Sequence, residues 1–133
     1  MILDSSLLIA AERGAIDLGA ALASLGDAPL GIAAITASEL LHGVHRAVEP
    51  GARARRAASV ESILGLLPIY AFGLAEARRH AELWAYLAQQ GTPIGPHDML
   101  IAATAIARGE GVITLNPTEF ARVPGLTTIA LRA

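Results

Sequence analysis

The feature that most constrains the fold is the alternation of short, fully apolar runs with longer amphipathic segments. Short apolar runs are typical of buried strands, whereas apolar residues at a spacing of 3.6 predict helices. We predict strands at residues 1–3, 30–34, 69–72, 112–115 and 126–131, and helices at residues 7–12, 16–25, 37–45, 52–67, 74–90 and 97–108. Strands separated by helices form parallel sheets covered on both faces. The sequence therefore predicts an α/β sandwich with a short, mostly parallel central sheet.

The chain has 133 residues, of which 53% are hydrophobic, and we expect one domain spanning residues 1–133. It contains no cysteine and all ten basic residues are arginine, which excludes a disulfide framework, a thiolate nucleophile and a P-loop lysine. The longest apolar run, residues 99–107, is too short to span a bilayer. We therefore expect a cytoplasmic protein with no membrane segment.

Four polar side chains stand where predicted strands end or where the following helices begin: Asp4, Glu39, Asp98 and Asn116. In a parallel sheet these positions converge at the edge formed by the carboxyl ends of the strands. Grouped carboxylates repel one another, and a hard dication with oxygen ligands relieves that repulsion. The pattern therefore indicates a site for Mg²⁺ or Mn²⁺.

Each of these residues also has a purely structural interpretation. Asp4 and Asn116 would cap the helices that follow them, and Asp98 would stabilise the dipole of its helix. Thr36 and Glu39 have the spacing of a capping box. Capping is the commoner role for any one of them taken alone, and it is their joint placement that favours a site.

Four segments resemble the motifs of the PIN-domain nucleases, most closely the VapC-type toxins of toxin–antitoxin pairs. They are residues 2–9 (ILDSSLLI), 35–44 (ITASELLHGV), 93–103 (PIGPHDMLIAA) and 113–120 (ITLNPTEF). The resemblance runs from Met1 to about Leu131, with the order, spacing and length of the family.

The resemblance implies that Asp4, Glu39 and Asp98 are the metal ligands and that Ser6 and Thr114 are polar residues supporting them. At a fourth catalytic position, Asn116 stands where many PIN domains have an aspartate, and Glu119 lies nearby. Because an amide oxygen is neutral, we expect any second metal ion to bind more weakly there.

The resemblance further implies an Mg²⁺- or Mn²⁺-dependent endoribonuclease that leaves 5′-phosphate and 3′-hydroxyl ends. The implied partners are an RNA substrate, a cognate antitoxin protein and a second copy of the chain in a homodimer. We expect helices 16–25 and 52–67 to have apolar surface available for that dimer. Two alternatives stay open: an RNA-processing PIN nuclease outside a toxin–antitoxin pair, and a PIN-like binding module without catalysis.

Other features of the sequence are less specific. The basic run Arg53, Arg55 and Arg56 suits either RNA phosphates or an ordinary solvated helix start. His97 stands beside Asp98, where it would meet substrate or simply begin a helix. The aromatic Trp84 and Tyr86 are better explained by packing or a dimer surface than by base stacking. His42 and His45 follow Glu39 at a spacing of three, but a di-iron site needs a second such helix, which the sequence lacks.

Overall fold

The computed structural model describes residues 1–132 and has the predicted α/β architecture. Its strands are β1 (Ile2–Leu3), β2 (Ile32–Ala33), β3 (Ile69–Tyr70), β4 (Val112–Thr114) and β5 (Thr128–Ala130). Its helices are α1 (Ser5–Glu12), α2 (Leu18–Ala23), α3 (Ala34–Arg46), α4 (Pro50–Leu66), α5 (Leu74–Gln90), α6 (Pro96–Arg108) and α7 (Pro117–Phe120).

All strand pairings are parallel. Strand β4 lies between β1 and β5, and β2 pairs with β3. A parallel bridge between Ile2 and Gly31 joins the two groups, which gives the spatial order β3-β2-β1-β4-β5. The first strand is therefore central, and its carboxyl end opens at the middle of the sheet edge.

Successive residues of the central strands pack into different cores. Ile2 and Val112 belong to the cluster that includes buried residues of α5 and α6, whereas Leu3 and Ile113 belong to the cluster that includes those of α1, α3 and α4. All four side chains have no exposed surface. Side chains of a strand alternate between the faces of its sheet, so this assignment demonstrates helical cover on both sides.

The strands are shorter than predicted, and the helices after β1 and β2 begin earlier, whereas α5 begins at Leu74 as predicted. Helix α3 begins at Ala34, directly after β2, so the prediction of a capping box at Thr36 was wrong. Thr36 is instead fully buried in the first helical turn, and its Oγ1 has no hydrogen-bond partner among the described residues. Helix α2 covers Leu18–Ala23 rather than residues 16–25, because the Asp17 side chain caps it by accepting from the Ala20 amide.

The inward face of α5 also differs from the sequence pattern. Helical spacing in the sequence predicts Leu74, Trp84 and Leu87 on one side of this helix, but Leu83 and Leu87 are buried and Trp84 is 61% exposed. Leu74, at the start of the same helix, is 68% exposed. The apolar residues of α5 cover more of its circumference than α6 and the sheet can bury. Within residues 1–132, none of the helices has the length and hydrophobicity that a bilayer span requires.

Candidate metal and phosphate site

Asp4 follows β1 directly and precedes α1, at the centre of the sheet edge. Its side chain makes no capping hydrogen bond to α1, so the capping interpretation is wrong for this residue. It is only 3% exposed, and its Oδ2 accepts hydrogen bonds of 2.7 Å from both Ser6 Oγ and Thr114 Oγ1. The structure therefore holds the Asp4 carboxylate in one orientation at the end of two neighbouring strands.

Backbone amides fix the two hydroxyl groups that bind Asp4. The Leu115 amide donates to Ser6 Oγ at 3.2 Å, and the Asn116 amide donates to Thr114 Oγ1 at 2.9 Å. Because each hydroxyl already accepts from an amide, its own proton is available to point at Asp4. The backbone that follows β4 thus orients Asp4 indirectly, because its amides hold the Ser6 and Thr114 hydroxyl groups that donate to Asp4.

Glu39 lies on α3 and reaches the same edge. Ser5 Oγ is 3.4 Å from both Asp4 Oδ1 and Glu39 Oε2, so it stands between the two carboxylates. Glu39 Oε1 is buried and has no hydrogen-bond partner among the described residues. His97 Nδ1 lies 3.6 Å from Glu39 Oε2. Glu39 therefore has one oxygen still requiring a donor or a cation.

Asp98 lies in the first turn of α6, beside Glu119 of α7. Burial raises the pKa of Asp98 to about 8, helped by a hydrogen bond shared with Glu119 and by the charges of Asp4, Glu119 and Glu39. That shared hydrogen bond, together with one from the Gly95 amide at 3.2 Å, lowers the pKa of Glu119. Without a cation, the pair thus retains a proton on Asp98.

Gly95 lies against both carboxylates. A Cβ atom at this position would lie 3.4 Å from Glu119 Oε2 and 3.5 Å from Asp98 Oδ2, which are ordinary van der Waals distances. The backbone at the start of α6 is therefore in close contact with both acids. Glu119 accepts from the amide of a different helix rather than capping its own, which links α7 to α6.

Asp4, Asp98 and Asn116 line one open cleft of about 450 Å³, together with Arg13 at the end of α1. Asn116 is exposed, and its side chain makes no capping bond to α7, which begins at Pro117, so the capping interpretation is wrong for this residue too. Glu39 lines a neighbouring cleft that shares Arg13 with the first. The four predicted catalytic residues therefore lie at one edge of the sheet, on two adjoining cavities.

The donor set suits a hydrated dication better than an ion enclosed by protein. Within residues 1–132, no three His, Asp or Glu side chains converge on a single point as a ready-made ion cage. Magnesium usually keeps several waters and takes only one or two carboxylates. Asp4 and Asp98 on one cleft meet that requirement, and the unpartnered Glu39 oxygen fits contact through a water.

Two residues of this region were not singled out from the sequence. Ser5 was quoted within a motif, but only the structure shows that it contacts both Asp4 and Glu39. Arg13 follows α1 with nothing in its neighbourhood to distinguish it from other surface arginines. Its position between the two clefts depends on the packing of α1 against α3, which local sequence does not reveal.

The chain is similar in sequence to known ribonucleases over most of its length. Ribonuclease VapC1 of Rickettsia felis is 37% identical over 131 residues, which are 98% of this chain and 96% of the relative. The tRNA(fMet)-specific endonuclease VapC of Salmonella typhimurium is 35% identical over 103 residues, covering 77% of this chain and 76% of the relative.

The fold is also similar to those of solved structures. A chain in the crystal structure of VapBC2 from Rickettsia felis, bound to a DNA fragment from their promoter, superposes with a TM-score of 0.89. Its sequence is 27% identical, and the match covers 98% of this chain and 97% of that one. The PIN domain family itself matches residues 1–126, a range that contains every acid described above. The parallel sheet, its acidic edge and this match together establish that the chain belongs to the PIN-domain family.

Proposed function

We propose that this chain, acting as one domain over residues 1–133, is a metal-dependent endoribonuclease and the toxin of a type II toxin–antitoxin pair. The observation that carries the proposal is the pairing of Asp4 and Asp98 across one open cleft. Asp4 is held by hydroxyl donors, whereas Asp98 retains a proton until a cation replaces it. Such a site attracts a hard dication and leaves the open side of the cleft for a phosphodiester.

Asp4 and Asp98 would bind Mg²⁺ or Mn²⁺, with Glu39 as a third ligand or a contact through water. When bound, such an ion polarises a phosphate and acidifies a water molecule. Thr114 keeps Asp4 oriented, and Asn116 presents a neutral amide at the rim of the cleft. The chain's own contribution is therefore to fix the carboxylates before substrate arrives.

The proposed reaction is hydrolysis in which water oxygen attacks phosphorus in line and the bond to the 3′ oxygen breaks. We infer that Glu39 orients the water and accepts its proton, because one of its oxygens lacks a donor. The 3′ oxygen leaves and takes up a proton from solvent water, which gives a 3′-hydroxyl and a 5′-phosphate end. This assignment rests on the family resemblance and on the acids at the sheet edge.

The proposed protein partner is an antitoxin whose chain enters the acidic cleft with a basic side chain. The support is the resemblance to VapC-type toxins and to the VapBC2 structure, together with the excess of carboxylates around Asp98. A guanidinium or ammonium group there would replace the cation and block the site. Because RNA and antitoxin would both be met in the cytoplasm, we place the activity there.

We also propose a homodimer. Helix α4 has exposed apolar surface at Leu66, which is 78% exposed, whereas Leu22 of α2 and Leu64 of α4 pack against the core. The larger exposed apolar side chains include Leu74 and Trp84 of α5. Trp84 also borders an apolar cavity of about 360 Å³.

We expect Trp84→Glu to convert a dimer to a monomer in light scattering, whereas Val48→Glu, on the exposed α3–α4 loop, retains the dimer.

The nuclease proposal is tested by incubating a panel of RNAs with the purified chain and Mg²⁺. We expect Asp4→Asn and Asp98→Asn each to reduce cleavage on the order of 100-fold or more, because removing charge stabilisation at a phosphoryl centre has effects of this size. Asp27→Asn is the matched control, since Asp27 is exposed and lies outside both clefts. Undiminished cleavage by both site variants would refute the mechanism.

Two further measurements separate the alternatives. A Mg²⁺ or Mn²⁺ titration followed by thermal unfolding should raise the midpoint of the wild type, since ligands that bind only the folded state stabilise it. No shift and no cleavage would favour a binding module. A short antitoxin-like reading frame directly upstream of the gene would favour a toxin over an RNA-processing nuclease.

A further inference from the structure

A second cleft of about 220 Å³ adjoins the acidic one, between the end of α1, one face of α3 and the side of α4. Helix α3 contributes Glu39, His42, Gly43 and Arg46, which lie on one face because they are spaced by three and four residues. Glu39 is at the end nearest the acidic site, and Arg46 lies about 10 Å further along the helix axis. We refer to this cavity as the arginine cleft.

Three arginines line the arginine cleft, and they fall into two kinds. Arg56 is fixed, because its Nε donates to Glu12 Oε1 at 2.8 Å and its Nη1 donates to the Gly43 carbonyl at 3.2 Å. Arg13 and Arg46 are exposed, and within residues 1–132 neither has a carboxylate within 4.0 Å or a side-chain hydrogen bond to protein. The cleft therefore has two free guanidinium groups beside one that is already neutralised.

Arg13 connects the arginine cleft to the acidic cleft, because it lines both cavities. Gly43 lies beside Arg56, where a Cβ would be 3.9 Å from Arg56 Cδ, an ordinary van der Waals distance. A strand bound along both clefts would therefore contact Arg13 and Arg46 as well as the acids.

We propose that the arginine cleft binds a backbone phosphate of the RNA strand adjacent to the phosphate that is cleaved, with Arg13 and Arg46 as its donors. This inference rests on the proposed ribonuclease function. A guanidinium group presents paired N–H donors that match phosphate oxygens, and the binding requires no particular base. The arginine cleft continues from the acidic cleft in which the cleaved phosphate would bind, and this continuity favours a nucleic-acid strand over an acidic peptide.

The test measures binding separately from cleavage. A fluorescein-labelled single-stranded RNA of mixed sequence is titrated in EDTA with the Asp98→Asn protein, which suppresses cleavage, and the affinity is followed from low to high salt. For single strands, each neutralised phosphate contributes about 0.7 to the slope of log affinity against log salt. We expect Arg13→Ala/Arg46→Ala to lower that slope by about 0.7 and to weaken binding at low salt about ten-fold or more.

Two control proteins isolate the role of the free guanidinium groups. Arg78→Ala removes an exposed arginine of α5 that lines neither cleft, and it should leave slope and affinity unchanged. Arg13→Lys/Arg46→Lys keeps both charges and should retain the slope while losing part of the affinity, because lysine cannot bind bidentately. Thermal unfolding of each variant verifies that it is folded.

The outcomes distinguish this inference from the nuclease proposal. An unchanged slope, or no binding of RNA by the Asp98→Asn parent, would overturn the phosphate site even if the wild type cleaves RNA. A lowered slope would support the site even if no RNA in the panel is cleaved. If an oligoglutamate peptide binds the parent more tightly than the RNA and loses that binding in the double variant, the cleft is a protein-docking site and the inference is wrong.

Discussion

Asp4 and Asp98 face the same cleft but are stabilised in opposite ways. Asp4 is nearly completely buried and receives hydroxyl donors from Ser6 and Thr114. Asp98 is half-buried and has another carboxylate, Glu119, as its hydrogen-bond partner. The protein itself thus compensates the negative charge of Asp4, whereas Asp98 needs a proton or a cation. Asp4 is therefore the carboxylate that the protein holds in place without metal, whereas Asp98 is the carboxylate whose protonation would change when metal binds.

Among substitutions that leave both carboxylates in place, the largest effect should come from removing one of the hydroxyl groups that hold Asp4. Thr114→Val keeps the side-chain shape but loses both the bond to Asp4 and the acceptor for the Asn116 amide. Residues that orient metal ligands typically contribute about 10- to 100-fold to metal affinity or activity. We therefore expect a loss of this size in RNA cleavage, together with a higher Mg²⁺ requirement.

The control for this variant is Thr114→Ser, which restores the hydroxyl and should recover most of the activity and the original Mg²⁺ requirement. A merely structural role would lower the thermal midpoint without changing the metal dependence of the folded protein. If folded Thr114→Val cleaves RNA at the wild-type rate, Asp4 does not need the hydroxyl group of Thr114.

An intermediate effect is expected in the pH dependence of stability, and it should involve Asp98. Burial and neighbouring carboxylates raise the pKa of Asp98 from its ordinary range to about 8, so the folded state binds this proton more tightly than the unfolded state. The stabilisation is present at low pH and is lost as pH rises toward 8. In EDTA, the free energy of unfolding should therefore fall between about pH 4 and pH 8 through this group.

Chemical unfolding of wild type and Asp98→Asn across this pH range tests the assignment. The variant cannot lose the proton, so its stability should fall less, and it should equal or exceed the wild type at pH 8. Mg²⁺ should stabilise the wild type more at pH 8 than at pH 5, because metal and proton compete for the same carboxylate. Parallel pH profiles for the two proteins would place the titration on another group.

The same contrast shows what the sequence could predict. The order of strands and helices followed from apolar periodicity, and the position of Asp4 followed from the rule that chains leave parallel strands at one edge. The contact between Asp98 and Glu119 could not be predicted from the sequence, because Glu119 reaches Gly95 only through the packing of α7 against α6. The start of α3 was also missed, since Ala34 and Ile35 carry no capping signal and tertiary burial of Thr36 overrides the pattern at Thr36 and Glu39.

The prediction of the buried face of α5 was wrong for a related reason. Leu83 and Trp84 are adjacent in sequence, and apolar spacing allows either to face the core. The structure buries Leu83 and leaves Trp84 exposed above an apolar cavity. Apolar periodicity identifies a stripe on a helix, but it does not say how much of that stripe the same chain buries. A surface that contacts a partner makes the apolar stripe wider than the part buried within one chain.

The smallest effect should come from Asn116, which borders the cleft between the two acids without bonding to either. Asn116→Asp adds a carboxylate at the rim, where the side chain is exposed and repulsion is screened by water. Affinity for dications rises with the number of charged ligands, so we expect Mn²⁺ to bind a few-fold more tightly in calorimetry. Gln89→Glu adds the same charge at an exposed position of α5 outside both clefts and should leave the affinity unchanged. Equal affinities for Asn116→Asp and wild type would mean that the ion sits wholly between Asp4 and Asp98, beyond the reach of residue 116, and that the amide there serves the substrate rather than the metal.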